Sequence, residues 1–245
     1  MRHLIQWTRS LVFLVLMYGS LPVIGLVCLP WALFNRRGAY AGVHGFCRFT
    51  RWAAHHVVGL RAEMRGPLPE GQVIIAAKHQ SFFDIILIVS VTPRPRFIMK
   101  RELLRAPVLG WYAKRIGCVA VDRGKRGRAI ARLREEVAQL RDEPGQLVIY
   151  PQGTRVAPGV DMPYKIGTGL IYEDLHLPCI PAATNVGVFW PRHGILRKPG
   201  LAVVEFLPTL PAGLPRDEFM ETLEERIETA STRLMAEAGF TSPGV

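Results

Sequence analysis

Hydrophobic and polar positions divide this 245-residue chain into two unlike parts. Residues 11–34, LVFLVLMYGSLPVIGLVCLPWALF, carry no charge. If helical, the stretch is long enough to cross a hydrocarbon core of about 30 Å. Pro22 and Pro30 interrupt it, so a kinked or re-entrant helix competes with a straight span. The basic start, Met1 to Arg9, would suit a signal peptide, but the apolar stretch exceeds a typical signal core and no small-x-small cleavage site follows it. Residues 39–60 read as a second helix. Phe46, Phe49, Trp52 and Ala53 recur at helical spacing, with Arg48, Arg51, His55 and His56 around them. Aromatics beside arginines suit a helix lying in a membrane interface, and equally one packed on a globular core.

Beyond residue 60 the pattern alternates. Short β-like runs fall at 72–77, 96–99, 118–121, 146–150, 179–184 and 201–206. Between most of them lie helical patterns. Residues 126–141 place Ile130, Leu133, Val137 and Leu140 on one stripe, and residues 217–238 do the same with Phe219, Leu223, Ile227 and Leu234. Strands alternating with helices predict an α/β fold, a mostly parallel sheet flanked by helices. The organisation expected is an N-terminal membrane-anchoring helical segment, residues 1–60, and one αβ domain, residues 61–245. Pro-Gly pairs at 144–145, 158–159 and 199–200 mark loops within that domain.

Charge narrows the partners. A net charge of +11 suits nucleic acid or an anionic membrane surface. Arginines are spread through the chain, with no basic tail and no nucleic-acid motif, so a phospholipid bilayer is the expected partner and nucleic acid is not. Arg36, Arg37, Arg48 and Arg51 argue for a cytoplasmic location after the apolar stretch, with Arg2 and Arg9 opposing that asymmetry. Cys28, Cys47, Cys118 and Cys179 show no paired spacing, which predicts buried free thiols, with neither disulfides nor a metal site.

Polar residues at the ends of buried runs carry the chemistry. In KHQSFFD, residues 78–84, Ser81 and Asp84 have capping-box spacing ahead of an apolar helix. That accounts for both residues without catalysis. It leaves His79, at a strand's end, where α/β sheets bind ligands. An aspartate in the first helical turn could orient that histidine as a general base. The two readings stand side by side. YPQGTR, residues 150–155, follows the run QLVIY. Arg155 offers a fork of donors suited to phosphate, and Gly153 allows close backbone approach. FIMKREL and GCVAVDR add Lys100 and Arg123 at further strand ends, giving the sheet a basic rim.

At these residues the chain resembles a known family. KHQSFFD matches the HX4D signature of glycerolipid acyltransferases, YPQGTR is similar to their EGTR motif, GCVAVDR to their third block and CIPAATNVG to their fourth. The motifs occur in the family's order, and the resemblance runs from about Arg61 to Leu207. The subfamily it resembles is the 1-acyl-sn-glycerol-3-phosphate acyltransferases. The resemblance implies an enzyme that moves an acyl group from acyl-CoA or acyl carrier protein to the sn-2 hydroxyl of lysophosphatidate, with no metal or redox cofactor. It implies His79 as base and Asp84 as its orienting partner. Arg155, with Gly153 and Thr154 shaping its loop, would hold the acceptor's phosphate, Lys100 and Arg123 would assist acceptor binding, and Pro181 would help shape the pocket. The implied location is the cytoplasmic side of the inner membrane. Lys78 stands where the family often has asparagine, adding positive charge that could lower the histidine's pKa; Gln152 stands for the usual glutamate. These departures leave open another acceptor, such as a lyso-ornithine lipid. Other classes also remain: a non-catalytic protein that binds anionic lipid, or a lipid hydrolase using Ser81.

Overall fold

The computed structural model of the chain describes residues 2–121, 131, 134–137 and 144–241. It opens with α1 (Arg2–Phe34), which continues as helix through both prolines. Asn35 then breaks the helix and caps the next, its side chain accepting the Arg37 N–H at 2.8 Å. α2 (Arg36–Ala53) buries Gly38, Ala39, Gly42, Cys47, Thr50 and Ala53 and leaves Arg48 and Trp52 exposed. Of its two expected surroundings, packing on a globular core is met by the buried face. Gly42 is needed for close approach: a Cβ there would stand 2.8 Å from the Tyr112 ring. A π-helical turn, Ala54–Val58, leads into the sheet.

Seven strands form that sheet: β1 (Leu60–Arg65), β2 (Val73–Ala77), β3 (Pro95–Lys100), β4 (Val119–Val121), β5 (Gln146–Ile149), β6 (Cys179–Thr184) and β7 (Gly200–Phe206). Their order is β1-β7-β6-β2-β5-β3-β4. Every neighbouring pair is parallel except β6 with β7. The expected mostly parallel α/β architecture is borne out. β1 was not expected as a strand, because LRAEMR carries three charges and little apolar alternation. It is an edge strand, where charged side chains are tolerated. Leu60, which closed the expected N-terminal segment, is its first residue.

β2 is buried along its whole length, and its side chains alternate between two cores. Val73, Ile75 and Ala77 join the core beneath α1, α2 and α3 (Phe83–Val91); Ile74 and Ala76 join the opposite one. That second core is closed by α5 (Gly167–Leu175) and α7 (Arg216–Glu237), where Tyr172 stacks on Phe219 at 3.7 Å. α4 (Leu109–Arg115) lies between β3 and β4, and the short α6 (Val186–Phe189) lies between β6 and β7. α7 lies within one residue of its expected limits. Of the helix expected over 126–141, residues 131 and 134–137 are described and are helical.

α1 is tied to the domain near both ends. The Gln6 amide donates to the Val58 and Arg197 carbonyls at 3.0 and 2.7 Å. At the other end Tyr112 donates to the Gly25 carbonyl at 2.7 Å and Arg115 to that of Ala32 at 2.9 Å. Between these ties Phe13 and Met17 enter the first core, while Leu4, Val15, Leu26, Val27 and Phe34 are exposed. The helix is long and apolar enough to cross a membrane, yet only 17% of its apolar window is buried. A core helix of a soluble protein would bury most of that surface.

The stacked Tyr172–Phe219 pair should dominate the second core. Phe219→Ala is expected to cost about 3–5 kcal/mol, measured as a lower denaturant midpoint by circular dichroism in detergent.

Candidate active site

β2 continues through α3 to β3 on one side of the sheet order, and β5 continues through α5 to β6 on the other. The chain therefore diverges at the carboxyl ends of these two neighbours, which opens a crevice there. KHQSFFD follows β2 and YPQGTR follows β5, so the switch point brings together segments some seventy residues apart in the chain.

Asp84, in the first turn of α3, is fully buried. Its Oδ1 lies 2.9 Å from His79 Nδ1, and its Oδ2 accepts the Gln80 and Ser81 backbone N–H groups at 2.8 and 2.7 Å. Ser81 Oγ accepts the Phe83 N–H at 3.2 Å. One carboxylate thus caps the helix and holds the histidine, and the two readings of this motif are compatible. With Nδ1 donating to Asp84, Nε2 is left as the acceptor. The Tyr150 ring stacks on the imidazole at 4.0 Å, fixing its plane from one side. Burial, then the Asp84 carboxylate, pushes the Tyr150 hydroxyl well above its ordinary pKa, so it stays protonated. Ser81 is buried behind the helix start and is not on the cavity wall, which leaves a serine nucleophile without access.

His79 lines a cavity of about 340 Å³. Its wall is mostly apolar, built by Phe46 of α2, Ile86 and Val89 of α3, Phe97 of β3 and Tyr112 of α4. Cys47 and Cys118 also line it, and burial pushes their thiols up to about 12 and about 11, so both are neutral wall groups. Among the described residues, the basic ones on the wall are His79, Lys100 and Lys165. A long apolar chain with a polar end is the ligand this lining fits.

The remaining expected residues fall in different places. Lys100 lines the cavity and pairs with Glu102 at 3.1 Å. Gly153 has a φ of +67°, and a Cβ there would come within 2.7 Å of Lys165 Nζ. This glycine lets the ammonium lie over the loop. Thr154 and Arg155 are half-buried beside the cavity without lining it, and the Arg155 carbonyl accepts from Arg192 at 3.1 Å. Pro181 lies inside β6, in register with Ala76; it is buried in the sheet and is not on the cavity wall. Arg123 lies outside the described residues. Lys165 was not anticipated. Its only signal in the sequence is a basic residue just before the small Gly167-Thr168-Gly169 start of a helix.

Both departures from the family motifs have their own partners. Strand alternation sends the Lys78 side chain to the face opposite His79, where Nζ meets both Glu228 oxygens at 2.7 and 2.6 Å. The added positive charge expected beside the histidine is therefore neutralised on the other side of the sheet. Gln152 is buried and donates from Nε2 to the Met162 carbonyl at 3.0 Å, a bond no glutamate carboxylate could make.

The acyltransferase family model matches residues 60–185, the span from β1 to the end of β6 that carries every strand-end motif above. The chain belongs to the acyltransferase family. This acyltransferase is 29% identical over 238 residues to a Pseudomonas aeruginosa protein named 1-acyl-sn-glycerol-3-phosphate acyltransferase, covering 95% of this chain and 92% of the relative. The human 1-acyl-sn-glycerol-3-phosphate acyltransferase alpha is 28% identical over 178 residues, which is 70% of this chain and 62% of that one. The fold is similar to the crystal structure of the 1-acyl-sn-glycerophosphate (LPA) acyltransferase PlsC from Thermotoga maritima, with a TM-score of 0.80 and 20% identity over 96% of this chain and 98% of that one. The family resemblance drawn from the four motifs is borne out, and so is the enzyme class.

Because Asp84 satisfies two buried backbone donors as well as His79, Asp84→Ala should lower the stability of this acyltransferase by about 2–4 kcal/mol and also lower its turnover. Thermal melting and acyl-transfer rates on one preparation check both.

Proposed function

We propose that this acyltransferase moves an acyl group from an acyl thioester, of coenzyme A or acyl carrier protein, to the sn-2 hydroxyl of 1-acyl-sn-glycerol 3-phosphate, giving phosphatidic acid. The observation that carries the reading is a carboxylate-held histidine on the wall of an apolar cavity that Lys100 and Lys165 also line. Names shared by the relatives support the choice of acceptor.

His79 Nε2 takes the proton of the acceptor hydroxyl as its oxygen attacks the thioester carbonyl. The tetrahedral species collapses, expelling the thiolate, and the imidazolium returns the proton to sulfur. Atoms and charge balance without an enzyme nucleophile. Asp84 stabilises the imidazolium and holds its orientation. Lys165, Lys100 and, beside the cavity, Arg155 supply the positive field for the acceptor's phosphate. The apolar wall takes a hydrocarbon chain.

The exposed apolar face of α1 rests in the membrane in this reading, with the αβ domain on the cytoplasmic side of the inner membrane. A helix fastened near both ends to the same domain cannot deliver one end to the far side of a bilayer. α1 therefore lies along the membrane face.

His79→Ala in purified enzyme should lower the rate of acyl transfer to lysophosphatidate by at least about 100-fold, the lower range for a positioned general base, with the melting temperature little changed. Near-wild-type transfer would refute the assignment. Running the wild type against a lyso-ornithine lipid in parallel decides between acceptors.

A further inference from the structure

The residue next to the base is tied, through the sheet, to the loop that completes the site. Lys78 follows β2 and is 3% exposed, and its ammonium contacts both carboxylate oxygens of Glu228 on α7. Glu228 Oε1 also accepts the Tyr164 hydroxyl at 2.9 Å. Burial and the Glu228 charge push the Tyr164 hydroxyl far up, so it remains a donor. Tyr164 packs on the second core, against the sheet face opposite His79.

The next residue, Lys165, returns to the cavity side. Its N–H donates to the Pro151 carbonyl at 3.0 Å, and its ammonium lies against Gly153. At the other end of the loop, the Val156 N–H donates to the His79 carbonyl at 2.7 Å. The loop from residue 151 to 165 is thus held at one end to the base itself. At the other it is held to Glu228, which is locked by the neighbour of that base.

We infer that Lys78, Glu228 and Tyr164 are positioning residues that set the placement of Lys165 for the acceptor headgroup. This rests on the reading of Lys165 and its loop as part of the acceptor site. A buried ammonium has few conformations open to it, and a bidentate contact fixes the carboxylate in turn. Tyr164 then meets an acceptor whose place is already determined. None of the three touches the cavity, so they act on binding through Lys165 alone.

Tyr164→Phe tests this with the ion pair left intact. The expected result is an acceptor KM raised about 10-fold, the scale of one hydrogen bond to a charged group, with kcat and donor KM within about twofold of wild type. Removing Glu228 alone would strand a buried charge and risk unfolding. The second variant is therefore Lys78→Met with Glu228→Met, which keeps the volume and removes both charges. It should raise the acceptor KM to a similar extent, and adding Tyr164→Phe to it should change nothing further. An unchanged acceptor KM in Tyr164→Phe overturns the inference. So does a parallel loss of kcat, both KM values and melting temperature, which marks a merely structural contact. If wild-type enzyme transfers nothing to lysophosphatidate, the functional reading itself fails, and the inference with it.

Discussion

The geometry of the site depends on how one buried carboxylate divides its two oxygens. Asp84 gives one to His79 and the other to the backbone donors of Gln80 and Ser81. A carboxylate with no solvent around it must find protein donors, and here those donors are the turn between a central strand and its helix. The same satisfaction that allows the charge to be buried bends the chain so that His79 leaves the strand on the cavity side. Stability and chemistry are therefore not separable at this residue. The Tyr150 ring completes the constraint by leaving the imidazole a single plane.

Much of this was legible because the relevant spacing is local. Four residues separate His79 from Asp84, and capping-box logic alone places Ser81 and Asp84 at a helix start. The strand runs were legible for a similar reason, since β2, β5 and β6 are buried throughout and read as continuous apolar segments. β1 escaped because an edge strand bearing Arg61, Glu63 and Arg65 shows no apolar signal. Lys165 escaped because its role depends on a loop that doubles back upon Gly153. The partner of Lys78 lies 150 residues away, on a helix whose sequence shows only an amphipathic surface. Long-range pairing leaves no local trace.

The two motif departures also illustrate how strand parity decides electrostatics. Lys78 and His79 are adjacent in the chain, yet the pleat sends them to opposite faces. The charge that stands beside the base in the chain is instead taken up by Glu228, which also accepts the Tyr164 hydroxyl. Gln152 makes the complementary point. It is buried and spans the base of its loop to Met162, so it contributes to loop shape and not to local charge.

The way α1 joins the domain has a practical consequence for handling the protein. Phe13 and Met17 are as fully enclosed as Ile75 in the sheet, and they share a core with it. An anchor hung on a linker can be trimmed away to leave a soluble enzyme. Here the cut would remove part of the wall against which the sheet is built, leaving Trp190 without the Phe13 edge that packs on it. Helix α1 and the sheet therefore share one core in this chain, and truncation trades one exposed apolar surface for another.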